Sequence, residues 1–494
     1  MRIALFYLFI SFFTLYAWKD WYKSLCALIF LMAFLERPDI PKSILEIPGL
    51  NPWNFLLAVV IMAWLANRHK EGTRWDMPGH ITTLLVFYGL MITIAVTRMI
   101  SDISGIADFR MITGQEPPTR MGLVIDYFIN CIKYTIPGLL LFVGCNTRAR
   151  LYWALAALAG MYFFLALQVI KWMPLGLLTS GVELSDRAAR VLDREIGYFR
   201  IDLSMILAGG ACAIFAARIL AKTKWHHLMM LGISATSLLG QLLTGGRIGY
   251  VSTAIIGLIF AIFRWRKLLL LIPLIVIFIV TYMPSVVDRM IQGLGGEIAA
   301  EEAPSAAVAD TLKEGQEGLY AMTSGRNFAW PFVLDKIAEA PLFGYGTLAM
   351  QNTGLSSLMT LNYNEAFPHP HNAYLEWILD TGLIGAIPVF ILYFLFIKYS
   401  FSLFLDSRSK IFIAIGGAGL AIILAQLIAS IGAQSFYPRA GTVAMWCAIG
   451  LIMRVYIQRG RLDSHTNTPQ ASFDDQLWNR TSGPDVSSGR IKNK

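Results

Sequence analysis

Charge is scarce in this chain. Only 15% of its 494 residues are Asp, Glu, Lys or Arg, while 56% are hydrophobic and the mean hydropathy is +0.57. A soluble domain carries about 25% charged residues, so the composition excludes a soluble enzyme, a disordered protein and a nucleic-acid binder held by a basic face. The net charge of +9 and the pI near 9.2 are read instead as Lys and Arg that keep loops on one side of a membrane. Cysteine is sparse as well. Cys26, Cys131, Cys145, Cys212 and Cys447 lie within or beside apolar runs, none forms a CxxC pair, and the long polar loops have none. That excludes a disulfide framework and a structural zinc site and leaves small buried hydrophobes. No GxxxxGK[ST] phosphate loop, HExxH pair or convincing GxSxG elbow is present, so an ATP-driven pump has no support.

Long apolar runs are what the sequence has in plenty. A span takes roughly 20 apolar residues, range about 17–25. Thirteen candidate runs fall near 3–18, 23–35, 51–66, 81–97, 123–144, 151–170, 201–219, 227–243, 248–263, 267–283, 372–397, 410–432 and 440–457. The first follows Arg2 and resembles a signal peptide. No small-x-small cleavage site precedes Trp18-Lys19-Asp20-Trp21, so it is read as a retained first helix. The first two runs are short, and 12–13 spans are expected, with one of that pair re-entrant or interfacial if it does not cross.

Basic connections recur at every second loop: 67–70, 148–150, Lys222 with Lys224, 264–267 and 398–410. The positive-inside rule places these in the cytoplasm. The loops 36–50, 98–122, 171–200, 244–247, 284–371 and 433–439 then face outward. The longest, 284–371, has ten acidic and four basic residues, a net −6. The expected organisation is an N-terminal transmembrane bundle over 1–283, an outer loop with surface helices over 284–371, C-terminal transmembrane helices over 372–457 and a disordered cytoplasmic tail over 458–494. Within the loop, 297–309 reads as an acidic link, and 327–340 repeats apolar residues at helical spacing until Pro341 stops it. The tail is rich in Ser, Asn, Gly and charge.

The cytoplasmic loops are too short to build a nucleotide site, and no Asp-x-Asp stands in an ordered cytoplasmic domain. Chemistry is therefore expected on the outer face, where activated donors must arrive on a lipid. Three residues stand out. Arg247, in Thr244-Gly245-Gly246-Arg247-Ile248-Gly249, opens a helix after a turn of almost no length. A guanidinium fork beside helix N-terminal N–H groups suits a phosphate; the alternative is an interfacial snorkelling arginine. Arg326, in Ser324-Gly325-Arg326, is one of the four cations of the acidic loop, and otherwise reads as a solvated helix-start residue. His371, in Pro368-His369-Pro370-His371-Asn372-Ala373-Tyr374, is placed by spacing in the first turn of a span. A neutral imidazole there suits a general base. The alternatives are a structural histidine, or half a metal site with His369 and Glu365, for which no further ligand is evident.

Charges inside spans are costly and mark function or helix pairing. Asp126 and Lys133 lie on one helix face but about two turns apart, so each is expected to pair with another helix. Glu376 and Asp380, one turn apart below His371, either orient His371 or an acceptor hydroxyl, or pair helices. Arg187, Arg190 and Arg194, with Arg200 beyond them, form either a basic face toward lipid phosphate or a solvated helix paired with Asp186, Asp193 and Glu195.

The run His371-Asn372-Ala373-Tyr374-Leu375 followed by Gly382-Leu383-Ile384-Gly385 resembles the O-antigen ligase and Wzy-type polysaccharide polymerase family. So do the Gly-Gly-Arg247 turn, Gly325-Arg326 with Trp330, and Pro341-Leu342-Phe343-Gly344-Tyr345-Gly346, in that chain order. The resemblance covers about 200–385 and is general elsewhere. It implies an all-α, GT-C-like polytopic bundle in a bacterial inner membrane with its site facing the periplasm. The implied reaction is inverting transfer of glycan from an undecaprenyl-pyrophosphate-linked oligosaccharide to a glycan or lipid acceptor, with no metal and no cofactor. By the same resemblance Arg247 and Arg326, and less directly Arg200, hold the pyrophosphate, and His371 activates the acceptor. Polymerisation of an exopolysaccharide or O-antigen is the first expectation, because nothing points to a lipid A-core acceptor; a ligase follows, then a protein O-oligosaccharyltransferase. The rivals from other classes are a flippase or transporter for a lipid-linked sugar, favoured only by Asp126 and Lys133, and a non-catalytic scaffold.

Overall fold

The computed structural model describes residues 2–41, 51–179, 181–291, 304–309, 320, 323, 325–434 and 436–463. Among these residues the fold is all-helical, without a strand. Each of the thirteen apolar runs is helical. Seven helices are long and apolar enough to cross a membrane: Gly79–Ser101, Arg120–Gly144, Arg148–Trp172, Arg200–Leu220, Ala373–Leu405, Lys410–Ala429 and Ala440–Asp463. Four shorter apolar helices, Ile3–Tyr16, Trp21–Leu31, Pro52–Asn67 and Arg247–Phe263, stand beside them. The protein is a polytopic helical bundle.

Small residues let the central helices close on one another. Arg200–Ala217 and Lys410–Ala429 cross with Gly417 against Ala216 and Gly209 against Ala425. In lipid, where apolar burial offers no gain over acyl chains, such close van der Waals packing is what holds helices together. The five cysteines are free; four are buried and Cys212 is half-buried.

The two ends of the bundle differ chemically. At one end Arg150 meets Glu71 at 2.9 Å, and Asp76 takes both Arg454 (2.8 Å) and Arg461 (2.6 Å). At the same end the Arg264 Nη1 donates to Ser407 Oγ (3.0 Å). This is the end that the basic loops mark. At the other end lie the Gly-Gly-Arg247 turn, residues 325–372 and the 431–439 connection. The expected loop helix is present as Arg326–Glu339, with Phe328, Ala329 and Val333 buried.

Two of the motifs noted in the sequence bind each other. In the 341–346 segment, Tyr345 N and Gly346 N donate to the carbonyls of Leu379 and Asp380 (2.9 and 2.8 Å). Leu383 N and Ile384 N donate back to Pro341 and Leu342 (2.8 and 3.2 Å). This exchange is possible because the Ala373–Leu405 helix breaks at Gly382, whose φ is 66° and ψ −177°. An added Cβ there would collide with the Leu342 carbonyl. The break releases backbone groups within the helix, and the 341–346 segment takes them up.

Several expectations change. The last helix continues past 457 to Asp463, so the expected tail begins later; residues 464–494, like 297–303 of the acidic link, lie outside the described residues. The Gly181–Ile196 helix buries Leu184, Ala188, Leu192 and Ile196 and leaves Arg187, Arg190 and Arg194 exposed, so its basic face is open at the surface. Asp126 accepts from Asn130 Nδ2 of its own helix (3.4 Å), within a π-helical turn over Ile125–Ile129, and the charge of Arg110 on the Ser104–Ile112 helix reaches it.

Gly382→Ala is expected to lower the melting temperature in detergent, because both the positive φ, worth about 1–3 kcal/mol for a residue with a side chain, and the Leu342 contact are violated. A variant that melts with the parent would show that the break is not required.

Candidate active site

The turn that carries Arg247 is built by close approach. Gly246 is the N-cap and Arg247 the first residue of Arg247–Phe263. A Cβ on Gly249 would collide with Ser204 Oγ of the neighbouring helix, and that hydroxyl donates to Gly246 O at 3.0 Å. The turn is thereby locked onto Arg200–Ala217, one helical turn beyond Arg200. The Arg200 guanidinium itself bonds Ser185 Oγ and the Ser185 carbonyl (3.3 Å) on the surface helix. Arg200 thus borders the Arg247 turn from the side, tied to a hydroxyl.

Arg326 opens the loop helix after Gly325 and is half-buried. Its Nη2 donates to Gly432 O (3.3 Å) in the connection between the last two long helices. Burial, and then the nearby charge of Arg247, lower its pKa to about 10. Two cations brought together in a partly dry site each oppose the other's charge. Arg326 still remains protonated at neutral pH.

The histidine segment is fastened at successive carbonyls. Ser356 Oγ donates to Phe367 O (2.6 Å), Gln351 Nε2 to Pro368 O (2.9 Å) and Trp330 Nε1 to Pro370 O (3.0 Å). The last bond ties the His371 backbone to the helix that Arg326 begins. His371 does not sit in the first turn, as its spacing suggested. Asn372 caps the helix by accepting from Tyr374 N and Leu375 N (3.0 and 3.2 Å), so the helix starts at Ala373. His371 stands just outside with φ 50°, a left-handed conformation costly for a residue with a Cβ. Its backbone N donates to His369 Nδ1 (3.1 Å), and the two rings lie 4.0 Å apart.

Burial and the adjacent Arg326 guanidinium lower the His371 pKa to about 4. Burial, His371, Arg439 and Arg326 hold His369 well below the usual imidazole range. Both rings are neutral at pH 7 and able to accept a proton. The alternative metal grouping does not assemble. Glu365 instead accepts from Tyr320 OH (2.6 Å) and Ser305 N (3.4 Å), and among the described residues no three His, Cys, Asp or Glu side chains cluster as a metal would need.

Glu376 and Asp380 are buried and face the 431–439 connection. Gln434 Nε2 donates to Glu376 Oε1 (2.6 Å) and Tyr437 OH to Asp380 Oδ2 (2.7 Å), while Ala349 N also donates to Asp380 (3.2 Å). They anchor this connection rather than pair long helices. Arg439 escaped the sequence reading. It pairs with Asp202 (3.0 Å), two residues before Ser204 and two after Arg200 in the chain, and its charge reaches His369. The available signal was its place as the lone cation on the short outward 433–439 loop.

Arg247, Arg326 and His371 therefore share one end of the bundle, with Arg326 electrostatically coupled to both of the others. Fold and site together define a polytopic membrane protein with a guanidinium-rich site at the end opposite its basic loops. The segment that carries all three residues, 232–390, matches the O-antigen ligase family, in line with the resemblance read from the motifs. The chain is also similar to a protein of Rickettsia conorii named as a candidate polysaccharide ligase, 27% identical over 247 residues, which is 47% of this chain and 55% of that protein. A similarly named protein of Rickettsia felis is 35% identical over 78 residues, 15% of this chain and 19% of that one. The match thus spans about half the length of the first relative and a fifth of the second.

Replacing Arg326 by Gln should raise the His371 pKa, because removing a neighbouring positive charge favours the imidazolium. It should stay below 6.5, because burial, the larger cause, remains. Histidine-selective NMR titration, assigned with a His371→Ala control, measures this. An unmoved His371 would show that the two groups are not coupled.

Proposed function

We propose that this protein is a membrane glycan ligase that moves an oligosaccharide from an undecaprenyl-pyrophosphate carrier to an acceptor hydroxyl at the outer face of a bacterial inner membrane. The observation that carries the reading is that Arg247, Arg326 and His371 lie at one end of the bundle, where the charge of Arg247 reaches Arg326 and that of Arg326 reaches His371, in the segment that matches the O-antigen ligase family. Both relatives are named as ligases, which favours ligation over the polymerisation expected first.

In this reading His371 takes the proton of the acceptor hydroxyl as its oxygen attacks the anomeric carbon. The carbon–oxygen bond to the carrier breaks with inversion, and the electron pair leaves with the pyrophosphate. Arg247 and Arg326 stabilise the charge that grows there, as fixed donors do best in a water-poor site. Arg200 and Arg439 border the same region, and both are tied to partners that hold them in place. A pyrophosphate bound at Arg326 offsets the charge of that guanidinium and so raises the imidazole, while burial, the larger cause, still holds it below its ordinary value. The donor would in this way switch on its own base.

The basic loops at the opposite end support outer-face placement. In this reading the N-terminal bundle is 1–283, the outer loop 284–371, and the C-terminal helices run from 372 to Asp463.

Reconstitution with a defined undecaprenyl-pyrophosphate oligosaccharide and a choice of acceptors tests the reading. His371→Ala should cut turnover by about 10²–10⁴-fold while donor binding persists, so lipid-linked intermediate accumulates. Normal product formation by that variant would refute the catalytic role. Movement of the lipid-linked sugar across vesicles without any transfer would identify a flippase.

A further inference from the structure

A groove of about 710 Å³ opens at the end of the bundle opposite the His371 site, between the Pro52–Asn67 helix and the Asn130–Gly144 helix. Its wall is apolar: Ile61, Trp64, Ile136, Leu140 and Val143. Its mouth is basic, lined by Arg68, His69 and Arg74, all exposed. From Ile61 to Arg68, and again from Ile136 to Val143, the groove follows helices for about 10 Å at 1.5 Å per residue. That depth reaches from the headgroup level into the hydrocarbon.

The charges of this loop are sorted. Its two carboxylates turn inward, Glu71 to Arg150 and Asp76 to Arg454 and Arg461. Among the described residues no carboxylate lies within ion-pair distance of Arg68 or Arg74. The loop therefore spends its acids on the bundle and turns its arginines to the groove mouth. Trp75 at the mouth is anchored by its Nε1–H to Thr82 (3.0 Å) and packs edge-on to Phe142 at 5.3 Å. An aromatic at the interface beside paired arginines, over an apolar slot, is the chemistry of an anionic lipid and not of a soluble ligand.

We propose that this groove is a binding site for an anionic phospholipid of the inner leaflet, with the phosphodiester on Arg68 and Arg74 and an acyl chain along the Ile61–Trp64 and Ile136–Val143 wall. Guanidinium groups near a membrane surface favour anionic headgroups, and the slot adds a chain contact that bulk lipid does not match in shape. The site is distinct from the His371 end, and its occupant is a membrane component and not the glycan donor.

Full-length protein purified from mixed phosphatidylglycerol and phosphatidylcholine nanodiscs, with retained lipid read by native mass spectrometry, tests this. The parent should retain phosphatidylglycerol over phosphatidylcholine. Arg68→Gln with Arg74→Gln should reduce that preference by roughly tenfold to thirtyfold, the loss of two surface cations. Arg68→Lys with Arg74→Lys, which keeps the charge, should retain most of it and shows that the fold is unharmed. Leu139 also lines the groove, and Leu139→Trp, which narrows it, should lower retention of both lipids. Equal retention of the two lipids by the parent, an unchanged preference in the double Gln variant, or stronger retention of a polyprenyl pyrophosphate than of phosphatidylglycerol would overturn the proposal.

Discussion

Arg326 is held where the charge of Arg247 reaches it, in a place with little water to screen either. Burial, and then that repulsion, draw the Arg326 pKa down to about 10; burial of the imidazole, and then the Arg326 charge, draw the His371 pKa to about 4. Like charges stay close only where the backbone forces them to, and the rest of this end of the molecule supplies that force. An anion shared by the two guanidiniums would relieve the strain, and a pyrophosphate has the charge and the oxygen geometry to do so.

The backbone force is traceable to particular residues. Gly246 and Gly249 let the Arg247 turn close onto Ser204, so the guanidinium leaves from a fixed point. Trp330, Gln351 and Ser356 clamp the carbonyls on either side of His369, and Trp330 belongs to the helix that begins with Arg326. Glu376 and Asp380 pin the 431–439 connection that supplies the Gly432 carbonyl to Arg326. Each candidate side chain is thus held through neighbouring backbone by hydrogen bonds from other elements, which is how a site keeps its geometry. The opposite end carries several ion pairs between segments far apart in the chain, Glu71 with Arg150 and Asp76 with Arg454 and Arg461, against the single Arg439–Asp202 pair described at the site end.

Much of the fold was legible in the sequence because lipid leaves a chain few choices. Apolar runs must be helical for want of any other backbone partner, and all thirteen are. The loop helix was legible from the helical spacing of 327–340 and its Pro341 stop. Arg247, Arg326 and His371 could be singled out as rare polar residues at helix starts, and family motifs ordered them. Their mutual approach could not be read, since it depends on contacts between segments far apart in the chain. Nor could the position of His371, because Asn372 competes for the cap and wins with two hydrogen bonds. Arg439 was passed over because a cation at the start of a span looks like any interfacial anchor until Asp202 is placed beside it. The break at Gly382 was visible only as a motif; its reason is the 341–346 segment that binds there.

The central claim is that Arg247 and Arg326 act on one anion. A double-mutant cycle on undecaprenyl pyrophosphate binding, with Arg247→Gln, Arg326→Gln and both together, tests it most directly. Groups that share a ligand charge should be non-additive by about 0.5–3 kcal/mol. Strictly additive losses, or no loss in either single variant, would mean that the two arginines do not meet on a common pyrophosphate.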